Sequence, residues 1–167
     1  MVQNSLSVLL AGVMIVGCGY HFQGAGSLPG NTETVFVQVI NNRTSETGIE
    51  NVFTAALIDE LTRNQRAAGQ DRADALLSGE IASVSTVTIS RTGSTTSVER
   101  RVRATLNLAL TDRSGVVIWK AHNISATEAF PVDADSKART DQNRREALTQ
   151  LAQRMAENIY NRMTDDF

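Results

Sequence analysis

Residues 98–111 (VERRVRATLNLALT) alternate apolar and polar side chains almost without a break. Val98, Val102, Ala104, Leu106, Leu108 and Leu110 share one parity. Glu99, Arg101, Arg103, Thr105, Asn107 and Thr111 share the other, and Arg100 interrupts the pattern. A period of two places successive side chains on opposite faces of a strand, so this segment has one face on a core and one in water. Strands of that kind belong to antiparallel sheets, because parallel strands are usually covered on both faces.

The flanking segments extend the sheet. Residues 77–90 carry Leu77, Ile81, Val87 and Ile89 on one parity and Glu80, Thr86, Thr88 and Ser90 on the other, and a turn is expected over residues 92–96 (TGSTT). Asp112-Arg113-Ser114-Gly115 marks a second tight turn, after which residues 116–130 read as a third strand of the meander, stopped by Pro131. Upstream, residues 34–40 (TVFVQVI) are β-branched and alternating, which predicts one continuous strand. Helical spacing appears twice. Ile49, Phe53, Leu57 and Leu61 recur at three to four residues, predicting a helix over 49–64. Leu148, Leu151, Met155, Ile159 and Met163 do the same in a helix over 139–164. The order is β-α-β-β-β-α, and its simplest packing is an α+β fold: a four-stranded sheet with two helices on one face.

The N-terminus has another character. Residues 6–17 (LSVLLAGVMIVG) form an apolar run too short to span a bilayer, which needs about 20 residues. It ends at Cys18, the only cysteine. A small residue, Gly17, precedes the thiol, as in the bacterial lipobox, where the signal is cut before a cysteine that is then lipidated. Residues 1–5 lack the usual positive charge, which puts the true start upstream or makes the signal a weak one. Gly19 follows the thiol in place of the Asp that retains many lipoproteins at the inner membrane, so the outer membrane is the expected destination. The expected organisation is a lipoprotein signal over residues 1–17, a lipidated tether rich in Gly, Ser and Asn over 18–33, and a single α+β domain over 34–167.

Little in the chain supports catalysis, and we expect no enzyme. The two histidines, His21 and His122, fall in the tether and in a strand; the single cysteine is expected to be lipidated and so leaves no Cys/His dyad, and there is no histidine pair at helical spacing and no second cysteine to complete a zinc set. No phosphate-cradling glycine motif and no G-x-S-x-G elbow occur. Asp59-Glu60 are adjacent on a helix and diverge, so they read as a solvated edge. The formal net charge of −2 argues against nucleic acid. Of the 16 basic residues only Lys120 and Lys137 are lysines. Arg91, Arg100, Arg101 and Arg103 gather in the hairpin of the second and third strands. Arg101 and Arg103, two residues apart on the polar face, can address one anionic group such as the phosphate of a lipid head group. A solvated sheet face accounts for the same residues without a ligand.

The ordered series Cys18-Gly19-Tyr20-His21-Phe22, Leu28-Pro29, Val35-Phe36-Val37, Asn41-Asn42-Arg43-Thr44, Gly48-Ile49-Glu50, Gly79-Glu80-Ile81, Val117-Ile118-Trp119 and Ile159-Tyr160 resembles the LptE family of lipopolysaccharide-assembly lipoproteins. The resemblance covers essentially the whole mature chain. It implies a non-enzymatic outer-membrane lipoprotein, anchored on the periplasmic side by N-acyl and S-diacylglycerol groups on Cys18 and needing no other cofactor. Such a protein plugs and helps assemble an LptD-type β-barrel and contacts lipopolysaccharide through basic residues, for which Arg91, Arg100, Arg101 and Arg103 are the candidates. The alternatives are a lipoprotein of another envelope machine, such as a secretin pilot or a lipid-transporter accessory, and a stand-alone lipid-binding protein.

Overall fold

The computed structural model describes residues 26–92 and 97–165, with the side chains of 89–92 and 97–98 excepted. Lipidation at Cys18 and the centre of the expected turn over 92–96 therefore lie outside the described residues. The elements are β1 (Val35–Val37), β2 (Asn41–Asn42), α1 (Ile49–Arg63), β3 (Ala75–Thr92), β4 (Ser97–Asp112), β5 (Val117–Val132) and α2 (Lys137–Asp165). β3, β4 and β5 form an antiparallel meander, and β1 and β2 both pair in parallel with β3. The fold is α+β, as expected, and the sheet has five strands rather than four, because the strand expected over 34–40 ends at Val37 and Asn41–Asn42, beyond its expected end, pairs with β3 on its own.

The break has a local cause. Gln38 still donates its N–H to the Leu77 carbonyl, but Ile40 turns into the core, 1 % exposed, and its N–H leaves the sheet. The Thr54 hydroxyl of α1 takes that N–H at 3.0 Å and donates in turn to the Glu50 carbonyl. The loop that follows is organised by Asn42. Its carbonyl oxygen accepts from the Thr44 N–H and hydroxyl, while its amide donates to the Glu46 carbonyl and the Glu50 carboxylate. Gly48 then starts α1 at φ 85°, a left-handed backbone that costs a residue with a Cβ.

The alternation in β4 holds throughout its middle. Val102, Ala104, Leu106, Leu108 and Leu110 are each at most 1 % exposed, packed under α1 and α2, while the odd positions face outward. Above Gly79 the Leu108 side chain and the Asn107 carbonyl lie so close that a Cβ would collide with both. In β3 the expected parity fails past Ile81. A register shift between Ile81 and Ser83 exchanges the two faces, so Val84 turns toward the core and Val87 is exposed.

Pro131 does not stop the sheet. β5 runs on to Val132 with Pro131 opposite Glu99, which a proline tolerates on an edge strand whose outer N–H groups face no ladder. The outward carbonyls of that edge are capped from α2, by Arg154 at Thr127 and Asn143 at Pro131. α2 also holds the loop before α1 through the two-pronged pair of Arg144 with Glu46, at 2.7 and 3.0 Å. Glu60 departs from the solvated edge expected of it. It is 7 % exposed and bonded by Arg63 and Asn64, whereas Asp59 is exposed.

Thr54→Val keeps the shape of that side chain and orphans the Ile40 N–H. We expect a loss of about 1–3 kcal/mol in urea unfolding, the cost of an unpaired buried donor, with an unchanged circular dichroism spectrum.

Candidate functional site

The β3–β4 hairpin spaces the arginines. With 18 residues in β3, the strand runs about 56 Å at ~3.3 Å per residue, well past the 15-residue α1 that covers its first half. Arg101 stands opposite Val87 and Ala129, and Arg103 opposite Ser85 and Thr127. Both are exposed on the outer face, about 7 Å apart along the strand. Arg100 has the parity of Val102 and so leaves the hairpin on the opposite face, where it is also exposed. The four candidates are therefore not one cluster: Arg101 and Arg103 form a pair, Arg100 stands apart, and the Arg91 side chain lies outside the described residues. Among the described residues, neither Arg101, Arg103 nor Arg100 makes an ion pair, in contrast to Arg139, Arg144 and Arg154 of α2. Glu99, on the same outer face as the pair, is the nearest carboxylate in sequence.

The hairpin and the N-terminal lead-in sit at opposite ends. Gly26 lies against Thr164 in the last turn of α2, Leu28 and Pro29 are buried, and Gly30 packs on Ile118 near the start of β5. At this end Asp74 fastens β1. Its carboxylate accepts the Thr34 hydroxyl at 2.9 Å and the Thr34 N–H at 3.0 Å. These bonds, with a smaller contribution from Arg113, hold its carboxyl below the usual range.

A polar band crosses the outer face between the two ends, and sequence reading missed it. Arg43 donates to Glu80 at 3.0 Å, Asn107 donates its amide to the other Glu80 oxygen at 3.1 Å, and the Asn107 carbonyl oxygen accepts the Asn123 N–H at 2.9 Å. The bonds from Arg43 first and Asn107 second hold the Glu80 carboxyl below its ordinary value. Asn123 adopts φ 55° where two residues of β5 oppose one of β4, a bulge that an asparagine tolerates better than most residues. The available signal was an Asn in the middle of a strand. Among the described residues no group of three His, Cys, Asp or Glu is placed to hold a metal ion, and no helix is long and apolar enough to cross a membrane.

The model of the LptE family, described as lipopolysaccharide-assembly, matches residues 32–163. The chain belongs to the LptE family. The match takes in every strand and nearly all of both helices, so the family resemblance seen in the sequence is carried by the folded domain. No curated protein sequence matches significantly. Among solved structures, this LptE-family chain is similar to the rare lipoprotein B from Shewanella oneidensis, at 14% identity and TM-score 0.54, covering 78% of this chain and 95% of that one. The lipoprotein B from Nitrosomonas europaea is 16% identical with TM-score 0.54, covering 89% and 92%. A minor lipoprotein from Acinetobacter baumannii is 13% identical with TM-score 0.50, covering 80% and 92%. At these identities the likeness speaks to the fold alone.

The lowered carboxyls predict an acid limb in the stability curve. Asp74, Glu80 and Asp112 all have folded values below their unfolded ones, so their contribution is complete above the unfolded values and is lost as pH falls through the folded ones. Urea midpoints should stay level between about pH 7 and 5 and drop below about pH 4. Asp74→Asn should lower the plateau and flatten the drop, by a small amount because water screens the group.

Proposed function

We infer that this chain is a lipid-anchored outer-membrane subunit that fills the lumen of an LptD-type barrel and takes part in lipopolysaccharide insertion. The observation that carries this reading is the family match over residues 32–163, coupled to a lone Cys18 placed after a short apolar run. The geometry agrees with it. Gly26 is eight residue steps from Cys18, a reach of at most about 28 Å, so an acylated Cys18 holds the α2 C-terminal end near the periplasmic leaflet. The hairpin with Arg101 and Arg103 then points away from that leaflet. Each buried methylene of an acyl chain is worth about 0.8 kcal/mol, so two or three chains anchor the protein stably. The outer sheet face, with Ser83, Ser85, Thr105 and Ser125 along its middle, is polar enough for the wet interior of a large barrel.

Three measurements test the reading. Mass spectrometry of the mature protein should find an acylated N-terminal Cys18, and an intact unmodified Met1 would end the anchor. Affinity purification from membranes should bring down a β-barrel of several hundred residues. Arg101→Glu with Arg103→Glu should weaken lipopolysaccharide binding about tenfold or more, the loss of two charge-assisted contacts, with an unchanged melting temperature because both side chains face water. Unchanged affinity would remove the phosphate role.

A further inference from the structure

The outer face of the sheet holds a groove of about 450 Å³, the size of a small-molecule site. It lies where two strand irregularities line up: the break between β1 and β2 and the β4–β5 bulge at Asn107 and Asn123. Val39 and Val117, 59% and 53% exposed, stand at its two ends, and Ala109 lies between them. The groove crosses the sheet from the β1–β2 edge to β5, about 14 Å at ~4.8 Å per strand, which is the length of two to three pyranose rings.

The polar groups in it divide into two sets. Glu80 and Asn107 are spent on each other and on Arg43 and Asn123, which fixes their positions and neutralises the one carboxylate. Gln38, Asn41, Ser78, Lys120 and His122 line the same groove, and among the described residues no side-chain hydrogen bond or ion pair occupies any of them. Amides and a hydroxyl supply both donors and acceptors, as a polyol requires, and Lys120 adds one uncompensated cation. The groove between α1 and α2, on the helix side of the sheet, is different, since its Arg144 is already clamped on Glu46. Both sheet edges are also poor templates for an added peptide strand. β1 and β2 are three and two residues long, and β5 is bulged, carries Lys120 and Pro131, and is capped from α2.

We propose that this groove binds an anionic oligosaccharide, with Lys120 on the sugar's carboxylate or phosphate and Gln38, Asn41 and Ser78 on its hydroxyls. The site is separate from the arginine pair and does not depend on the anchor or the barrel. The test is calorimetry on the full chain, purified from membranes in a detergent without a sugar head group, with digalacturonic acid and neutral lactose as probes. Digalacturonic acid should bind with a Kd below about 1 mM and lactose about tenfold more weakly or worse. Lys120→Glu should cost digalacturonic acid at least about tenfold and leave lactose unchanged, the signature of a single charge contact. Gln38→Ala with Asn41→Ala should weaken both sugars, and Arg101→Glu with Arg103→Glu should weaken neither. All five side chains changed in these variants, Lys120, Gln38, Asn41, Arg101 and Arg103, are exposed, so circular dichroism should report a native fold throughout. Absence of digalacturonic acid binding at about 10 mM, full binding by the Lys120→Glu protein, loss of binding in the hairpin variant, or an equally tight poly-glutamate peptide would each overturn the proposal.

Discussion

The apolar row of β4 is the constraint on which the other elements depend. Five alternate side chains from Val102 to Leu110 are withdrawn from water almost completely, and no single helix is wide enough to cover them. α1 and α2 pack side by side on this face, with Phe53, Leu57 and Leu61 from one and Leu151, Met155 and Ile159 from the other meeting Leu77, Ile81 and Leu106. At ~25 cal/mol per Å² of apolar surface, that shared layer is the main favourable contribution to folding. Two-layer packing follows, and with it an outer sheet face that has no cover of its own.

That uncovered face carries the candidate functional residues. A core-facing side chain answers to packing, whereas the odd positions of β4 are free to carry Arg101, Arg103 and Asn107 without affecting the interior. The hairpin arginines stand on a strand that is hydrogen-bonded to a neighbour on each side. Three of the five arginines of α2, Arg154, Arg139 and Arg144, are committed to Glu128, Asp133 and Glu46, and Arg100, Arg101 and Arg103 of the hairpin make no ion pair among the described residues. The lead-in closes the other end of the core with Leu28.

Much of this was legible in the residues. The strict period of β4, the helical spacing in α1 and α2 and the Asp112–Gly115 turn each appear where their local pattern put them, because periodicity reports which face is buried. The places that were not legible are those where one residue's backbone bond is made by a distant partner. Thr54 reads as a small polar residue in a helix, and only its contact with Ile40 explains why the first strand breaks. Val87 was given the parity of Ile81 because a bulge leaves no mark in composition. Pro131 was read as a terminator because a proline does not show whether its strand will be at an edge. Glu60, placed on a wet edge, is buried because Arg63 and Asn64 are there to pair with it.

By itself, then, the chain of residues determined the class of fold, the kind of its main elements and the family, since these depend on local period and on short ordered motifs. The tertiary structure alone decided which polar residues act together. It split Arg100 from Arg101 and Arg103, joined Arg43 in the loop after β2 to Glu80, Asn107 and Asn123 on three strands, and left Lys120 beside them with no side-chain partner among the described residues. The physical reason is that alternation assigns a residue to a face, whereas register, bulges and strand order assign it a neighbour, and those are set by pairing between segments far apart in the chain.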